Sequence, residues 1–299
     1  MGKNAIEIES LQFAYGREGV LKGVNLEVPE GSIFGFLGRN GAGKTTTIKL
    51  LLGLLKPGGG SCRIEGIDSQ KDAISVRRII GYMAEDQQMY GWMRIEQIIK
   101  WVASFYPDWD DKFTKQLLDM LELPLKSKVK NLSKGQNSRL ALLLALGHRP
   151  KVVILDDPTL GLDPIARKEF LRYVIGLLQT NGVTVFFSSH LLYEIEPVAD
   201  YVAIIDKGVI IKAERTFDLR ESVKKIVLNT SQNDFSKIDG ILDVSKTGER
   251  VVLTVENCSA EKIDKIKDSY GGFIGETGLN LDEIFEAYVI GNRGEAGKV

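Results

Sequence analysis

Two stretches of the 299-residue chain carry residue types at spacings that can do chemistry. The first is Gly38-Arg39-Asn40-Gly41-Ala42-Gly43-Lys44-Thr45, which fits G-x-x-x-x-G-K-[ST] in full. Its glycines let the backbone curl until the N–H groups of Gly38, Asn40, Gly41, Ala42 and Gly43 face inward, where they can hold phosphate oxygens. A following helix would aim the positive end of its dipole at the same point and add the first-turn residues Thr45 and Thr46. Lys44 supplies a point charge for β- and γ-phosphates, and the Thr45 hydroxyl can ligand Mg²⁺. ATP and Mg²⁺ are the expected ligands. The second stretch is VVILDDPT, Val152–Thr159. Four apolar residues run straight into two carboxylates, which reads as a buried strand ending in acid. In phosphoryl-transfer enzymes with such a loop, a neighbouring strand ends in an Asp that holds Mg²⁺. Asp156 suits that role, and Asp157 is then left for the attacking water.

The elements around these stretches follow from periodicity. SIFGFLG (32–38) is a short apolar run entering the glycine loop, and KTTTIKLLLGLL after it has helical character. Residues 5–14 and 24–28 alternate as strands do. From about Met89 to Gly147 the texture is mostly helical. Apolar strands return at 152–155, 183–187 and 201–205. Alternating β and α segments predict a mainly parallel α/β sheet, with the helical stretch as an insert between its strands. After about Arg215, KIVLN, ILDVS and VVLTVE read as short strands. Two helices follow, one after Ser259 and one after Asn280, where Asn280 and Glu283 have capping-box spacing. The expected division is a domain over 1–217, with its helical subdomain at about 88–150, and a small C-terminal α+β domain over 218–299.

Composition excludes several classes. The chain is 43% apolar and 26% charged, as soluble globular proteins are, and its net charge of −1 points to no nucleic-acid partner and no anionic membrane. Cys62 and Cys258 match no metal spacing and no disulfide framework, which reads as cytosolic. MGKNAIEIES is too polar for a signal peptide, and Ile6 breaks the myristoylation pattern. No apolar run approaches the ~18 residues that a membrane span needs.

A third motif, LSKGQ at 132–136, completes a resemblance. With the glycine loop upstream and the Asp156-Asp157 pair downstream, residues 5–210 resemble the ATP-binding cassette (ABC) ATPases. Leu132, Ser133, Gly135 and Gln136 match the family signature LSGGQ, and Lys134 replaces a glycine. The resemblance implies a P-loop NTPase fold, with a RecA-like core, an antiparallel β subdomain and an inserted helical subdomain. It implies that Tyr15 stacks on adenine, that LGLD (160–163) is the D-loop, and that His190 contacts the γ-phosphate. It implies ATP-driven head-to-tail pairing of two such subunits, with Ser133, Gly135 and Gln136 serving the ATP held by the partner. His148, before a proline, reads as structural or exposed.

Two departures from the family pattern matter. IGYMAED puts Glu85 where the family carries Gln as a ligand of Mg²⁺ or water, with Gln87 as the competing equivalent. Asp157 replaces the usual Glu base and is one methylene shorter. A misplacement of ~1 Å can cost ~100-fold in rate, so the expectations divide among a homodimer with two slow sites, a weak site in an unequal pair, and a regulatory cassette. All three tryptophans, Trp92, Trp101 and Trp109, fall in the helical insert with Tyr90, Phe105 and Tyr106. They read either as the insert's core or as anchors for a membrane partner, Tyr90 and Trp92 first. SFYPDWDD, LSKGQ, the FSSH spelling and the C-terminal extension resemble separate ATPase subunits of bacterial ABC-2-type exporters. The implied setting is cytoplasmic, on the inner face of the membrane, attached through an integral membrane permease subunit. Soluble ribosome-acting ABC proteins carry two cassettes, whereas this chain has one glycine loop. DNA-repair ABC ATPases need coiled coils or zinc sites, and neither heptads nor paired cysteines are present.

Overall fold

The computed structural model describes residues 3–179, 182–189 and 195–291, and of 177–179 only the backbone. These residues fall into two compact units. One runs to residue 189 and takes in 198–213; the other takes in 195–197 and 214–291.

The first unit is built on two sheets. One has the order β10-β9-β3-β8-β7-β6, from strands β3 (Ile33–Leu37), β6 (Ile80–Met83), β7 (Val152–Asp156), β8 (Thr184–Ser189), β9 (Tyr201–Asp206) and β10 (Val209–Arg215). The run from β9 to β6 is parallel throughout. Every residue of β3, β7 and β8 is buried, which is why these strands read as continuous apolar runs. Phe34, Phe36 and Phe186 pack together at its centre. The second sheet, in order β2-β1-β4-β5, joins β1 (Asn4–Tyr15), β2 (Glu18–Pro29), β4 (Gly59–Ile64) and β5 (Ile67–Asp68) in antiparallel pairs. Its inward residues alternate with exposed ones, as in Leu26 and Val28 of β2.

Helices α1 (Lys44–Leu51) and α2 (Ala73–Ile79) follow β3 and β5. Helices α3 (Ile95–Ala103), α4 (Asp111–Met120) and α5 (Lys134–Leu146) fill the interval between β6 and β7, where the helical insert was expected, and α6 (Pro164–Gln179) follows β7. Local chemistry sets their starts. Asp110 Oδ1 accepts from Phe113 N at 2.8 Å ahead of α4, and Asp163 Oδ1 accepts from Ile165 N and Ala166 N at the start of α6. Residues 140–146 of α5 are all buried, so this helix runs through the core and has no wet face there.

The second unit holds β11 (Lys224–Asn229), β12 (Ile241–Thr247), β13 (Arg250–Val255) and β14 (Phe273–Gly278) in the antiparallel order β12-β13-β11-β14. Helices α7 (Thr216–Ser222), α8 (Ala260–Tyr270) and α9 (Leu281–Val289) complete it. Order and direction are those of a split β-α-β unit whose first crossover is a loop, 230–240, in place of a helix. Phe235 of that loop is fully buried and packs on Tyr270 of α8. Asn280 and Glu283 form the capping box that their spacing predicts. Strand β14, FIGETG, is absent from the sequence reading. It is a glycine-rich edge strand with only Phe273 and Ile274 as large apolar residues, too few to make a period.

Candidate functional site

The glycine loop lies between β3 and α1, where the sequence places it. Gly43 caps the helix at φ 112°, a conformation that L side chains rarely adopt, and a Cβ there would meet Leu21 Cδ2 at 2.7 Å. Asn40 and Gly41 are exposed at the loop's tip, whereas Gly38, Ala42, Gly43 and Thr46 are buried and Thr45 is half-buried. Lys44 is 95% buried. Its Nζ donates to the Gly38 carbonyl at 2.8 Å and lies 3.5 Å from Asp157 Oδ2, so the ammonium is held over the loop that it belongs to.

Strand β7 delivers both acids. Asp156 is wholly buried and Asp157 nearly so. Asp156 Oδ1 accepts from the Ser188 hydroxyl at 2.6 Å, and the Thr45 hydroxyl lies near enough to favour the charged form of this carboxylate. Its Oδ2 has no hydrogen-bond partner among the described residues. Burial holds the Asp156 carboxyl above its ordinary range, against the pull of the Ser188 and Thr45 hydroxyls. Asp157 breaks from the strand at φ 43°, in the left-handed region. Its N–H bonds the Ser188 carbonyl at 3.1 Å and the Ser188 hydroxyl at 3.2 Å. Ser188 thus fixes both acids, and the sequence reading passed over it. The signal was the pair Ser188-Ser189 closing an otherwise apolar strand.

Glu85 is exposed just beyond β6. Gln87 turns back, its Oε1 accepting from Ala84 N at 3.1 Å. The Tyr82 hydroxyl is pushed up to about 12, first by burial and then by the charges of Asp156 and Glu85. Tyr82 therefore feels both carboxylates, a relation invisible in sequence. Tyr15 is half-exposed at the end of β1 and meets Phe13 edge-on at 4.8 Å. His190 lies outside the described residues.

Ser133 and Gln136 form a reciprocal cap at the start of α5: Ser133 Oγ accepts from Gln136 N at 3.1 Å, and Gln136 Oε1 accepts from Ser133 N at 3.0 Å. The Ser133 hydroxyl keeps its proton for another acceptor. Ser133 is exposed, and Gly135 beside it is half-buried.

The tryptophans divide. Tyr90, Trp92, Trp101 and Phe105 are all exposed and form a continuous ladder, with ring centroids 6.1, 5.1 and 5.0 Å apart. Trp109 turns inward, its indole nitrogen buried, beside Tyr106. Tyr106 stacks on His148 at 3.9 Å. His148 is buried and structural, with Nε2 bonded to the Ile80 carbonyl at 3.0 Å.

A parallel sheet with a glycine loop leading from its inner strand into a helix, and a strand of the same sheet ending in acid, defines a P-loop nucleoside-triphosphatase. The family described as ABC transporter matches residues 21–160, and one described as AAA domain, putative AbiEii toxin, Type IV TA system, matches 126–196. The bacitracin transport ATP-binding protein BcrA of Bacillus licheniformis is 36% identical over 234 residues, 78% of this chain and 76% of its own. The ABC transporter ATP-binding protein YtrB of Bacillus subtilis is 27% identical over 96% of this chain and 99% of its own. A solved structure described as the ATP-binding subunit of an ABC transporter superposes with a TM-score of 0.66 at 28% identity, covering 73% of this chain and 92% of that one. This chain belongs to the ATP-binding subunits of the ABC transporter family, which are ATPases. No helix among the described residues is long and apolar enough to cross a membrane.

Proposed function

We propose that the chain powers an exporter, coupling ATP binding and hydrolysis to a separate membrane permease from the cytoplasmic face. The observation that carries this reading is the convergence of Lys44, Asp157 and Asp156 on one end of the parallel sheet, with the Lys44 ammonium already over the loop. The inward N–H groups of 38–46 and the Lys44 ammonium bind the β- and γ-phosphates, and Tyr15 offers its exposed ring to the adenine. Asp157 accepts a proton from the attacking water, Glu85 orients it, and His190 contacts the γ-phosphate.

The donors fit Mg²⁺. Asp156 Oδ2 is a buried carboxylate oxygen with no partner among the described residues, beside the Thr45 hydroxyl. A buried anionic oxygen in that position is costly unless a cation meets it. Thr45 and Asp156, with Glu85 at the edge, would hold the ion, which would neutralise phosphate charge.

The exporter reading is supported by the bacitracin-transport relative and by the motif spellings of the sequence. The exposed ladder from Tyr90 to Phe105 supplies an aromatic surface for the permease. Ser133, Gly135 and Gln136 bind the γ-phosphate held by a second ATPase subunit, whose own signature serves this chain's ATP. We assign 1–217 to the nucleotide-binding domain, its helical subdomain to about 88–150, and 218–299 to a small α+β domain. Two copies of this chain form the pair. The shorter acid at Asp157 favours one rival, in which this site is the weak member of an unequal pair. Asp157→Asn abolishes transport in the first case and costs little in the second. Lys44→Ala tests the site itself. ATPase activity should fall about 100- to 1,000-fold, and unchanged turnover would remove the assignment.

A further inference from the structure

Lys134 stands where the family pattern carries glycine, and the proposed chemistry gives it no task. Its side chain lies along the turn at Gly161. A Cβ built on Gly161 would sit 3.4 Å from Lys134 Nζ and 3.9 Å from its Cδ. Gly161 has φ +75°, so the turn needs glycine there, and the missing side chain leaves the space that the lysine covers. The next residue faces the same segment, since a Cβ on Gly135 would lie 3.5 Å from the Ala166 methyl. The first turn of α5 therefore lies alongside 161–166 at two points.

That segment leads straight back to the acids. Leu160 N bonds the Asp157 carbonyl at 3.1 Å, and Leu162 N bonds the Thr159 carbonyl at 3.1 Å. Asp157 itself holds a left-handed backbone that tight surroundings must enforce. Lys134, Leu160 and Gly161 also line one cleft with Glu85. A line of neighbours runs from Lys134 past Gly161 and, through the hydrogen bonds of the turn, to Asp157.

We propose that Lys134 is a positioning residue for hydrolysis: by packing over Gly161 it holds the 157–162 turn, and through it sets the place of the Asp157 carboxylate. The inference rests on the assignment of Asp157 as the base. A carboxylate displaced by a fraction of an ångström loses rate steeply, while phosphate binding at Lys44 is untouched.

The test uses the full chain with Lys134→Gly, Lys134→Met and Lys134→Arg, and Lys44→Ala as a separate control on the site. Lys134→Gly should lower kcat about tenfold with KM for ATP and monomer ATP binding unchanged. Amide exchange should quicken in 157–163 and not across the sheet. Lys134→Met keeps most of the stem, and Lys134→Arg its length, so both should hold kcat within about threefold of the parent. Wild-type kcat in Lys134→Gly overturns the proposal. A loss in Lys134→Met as large as in Lys134→Gly also overturns it, because charge and not packing would then be at work. So does faster exchange spread evenly over the unit, which would mark a general loss of stability. If Lys44→Ala keeps full turnover, the site assignment fails and this inference with it. Wild-type Lys134→Gly beside an inactive Lys44→Ala sinks this inference alone.

Discussion

Asp157 combines two demands that pull on one side chain. Its backbone is left-handed, φ 43°, a region that Asp and Asn enter far more readily than Glu. Its carboxylate meets Lys44 at 3.5 Å. Sequence comparison alone casts the shorter acid as a deficit; the backbone gives it a structural reason. Asp157→Glu should raise turnover about tenfold if reach is limiting, while lowering Tm by a few degrees through backbone strain. Steady-state ATPase rates and thermal melts on the same protein read both. A second residue-scale prediction concerns His148. Burial pushes its pKa from 6.5 down to about 4, against the raising effect of the bond to Ile80. The neutral ring donates from Nε2 to the Ile80 carbonyl, and Nδ1 is buried with no partner among the described residues. The unfolded chain binds a proton there below pH 6.5 and the folded chain does not until about pH 4. Stability is therefore present above pH 6.5 and falls as pH drops toward 4, by about 3 kcal/mol across the window. Urea melts at pH 7.5 and 5 should show the decline, and His148→Phe, which can still stack on Tyr106, should flatten it. A wild-type midpoint indifferent to pH over that interval would refute the burial argument.

At the scale of elements, the sequence told most where a motif and a period coincide. The run into Gly38–Thr45 and the VVIL strand were legible because a fully buried parallel strand is apolar throughout, and the acids mark where it ends. The helical insert was legible as texture. What each aromatic does within it was not, since neither YGWMR around Trp92 nor PDWDD around Trp109 sets a period that tells an inward ring from an outward one. One joins the exposed ladder, and the other buries its indole nitrogen and packs its ring beside Tyr106. Burial comes from contacts between elements distant in the chain, such as His148 with Tyr106, which no local period encodes. The division makes a paired prediction. Trp92→Ala should leave Tm and basal ATPase activity nearly unchanged and reduce stimulation by the permease. Trp109→Ala should cost about 3–5 kcal/mol of stability. Melts and ATPase assays with and without the permease separate the two, and a large Tm loss in Trp92→Ala would return the ladder to the core.

At the scale of the whole molecule, the two units carry different kinds of information. The first has motifs in every functional turn, so its family was readable from residues 5–210. The second, from 214, offers strands, caps and a buried loop centred on Phe235, with no pattern that names a chemistry. The site on the first unit has its phosphate loop and acids, whereas the exposed Ser133 at the head of α5 keeps a hydroxyl proton to donate. In the function proposed above, ATP draws two subunits together and hydrolysis at Asp157 releases them. Light scattering on the purified chain with ATP and Mg²⁺, recorded beside phosphate release, measures both events. Asp157→Asn keeps the left-handed backbone and the binding loop, so it should double in mass on adding ATP, hold that mass, and release almost no phosphate, while wild type returns to the starting mass as ATP is consumed. Phosphate release by Asp157→Asn at the wild-type rate, with no change of mass in either protein, would contradict it.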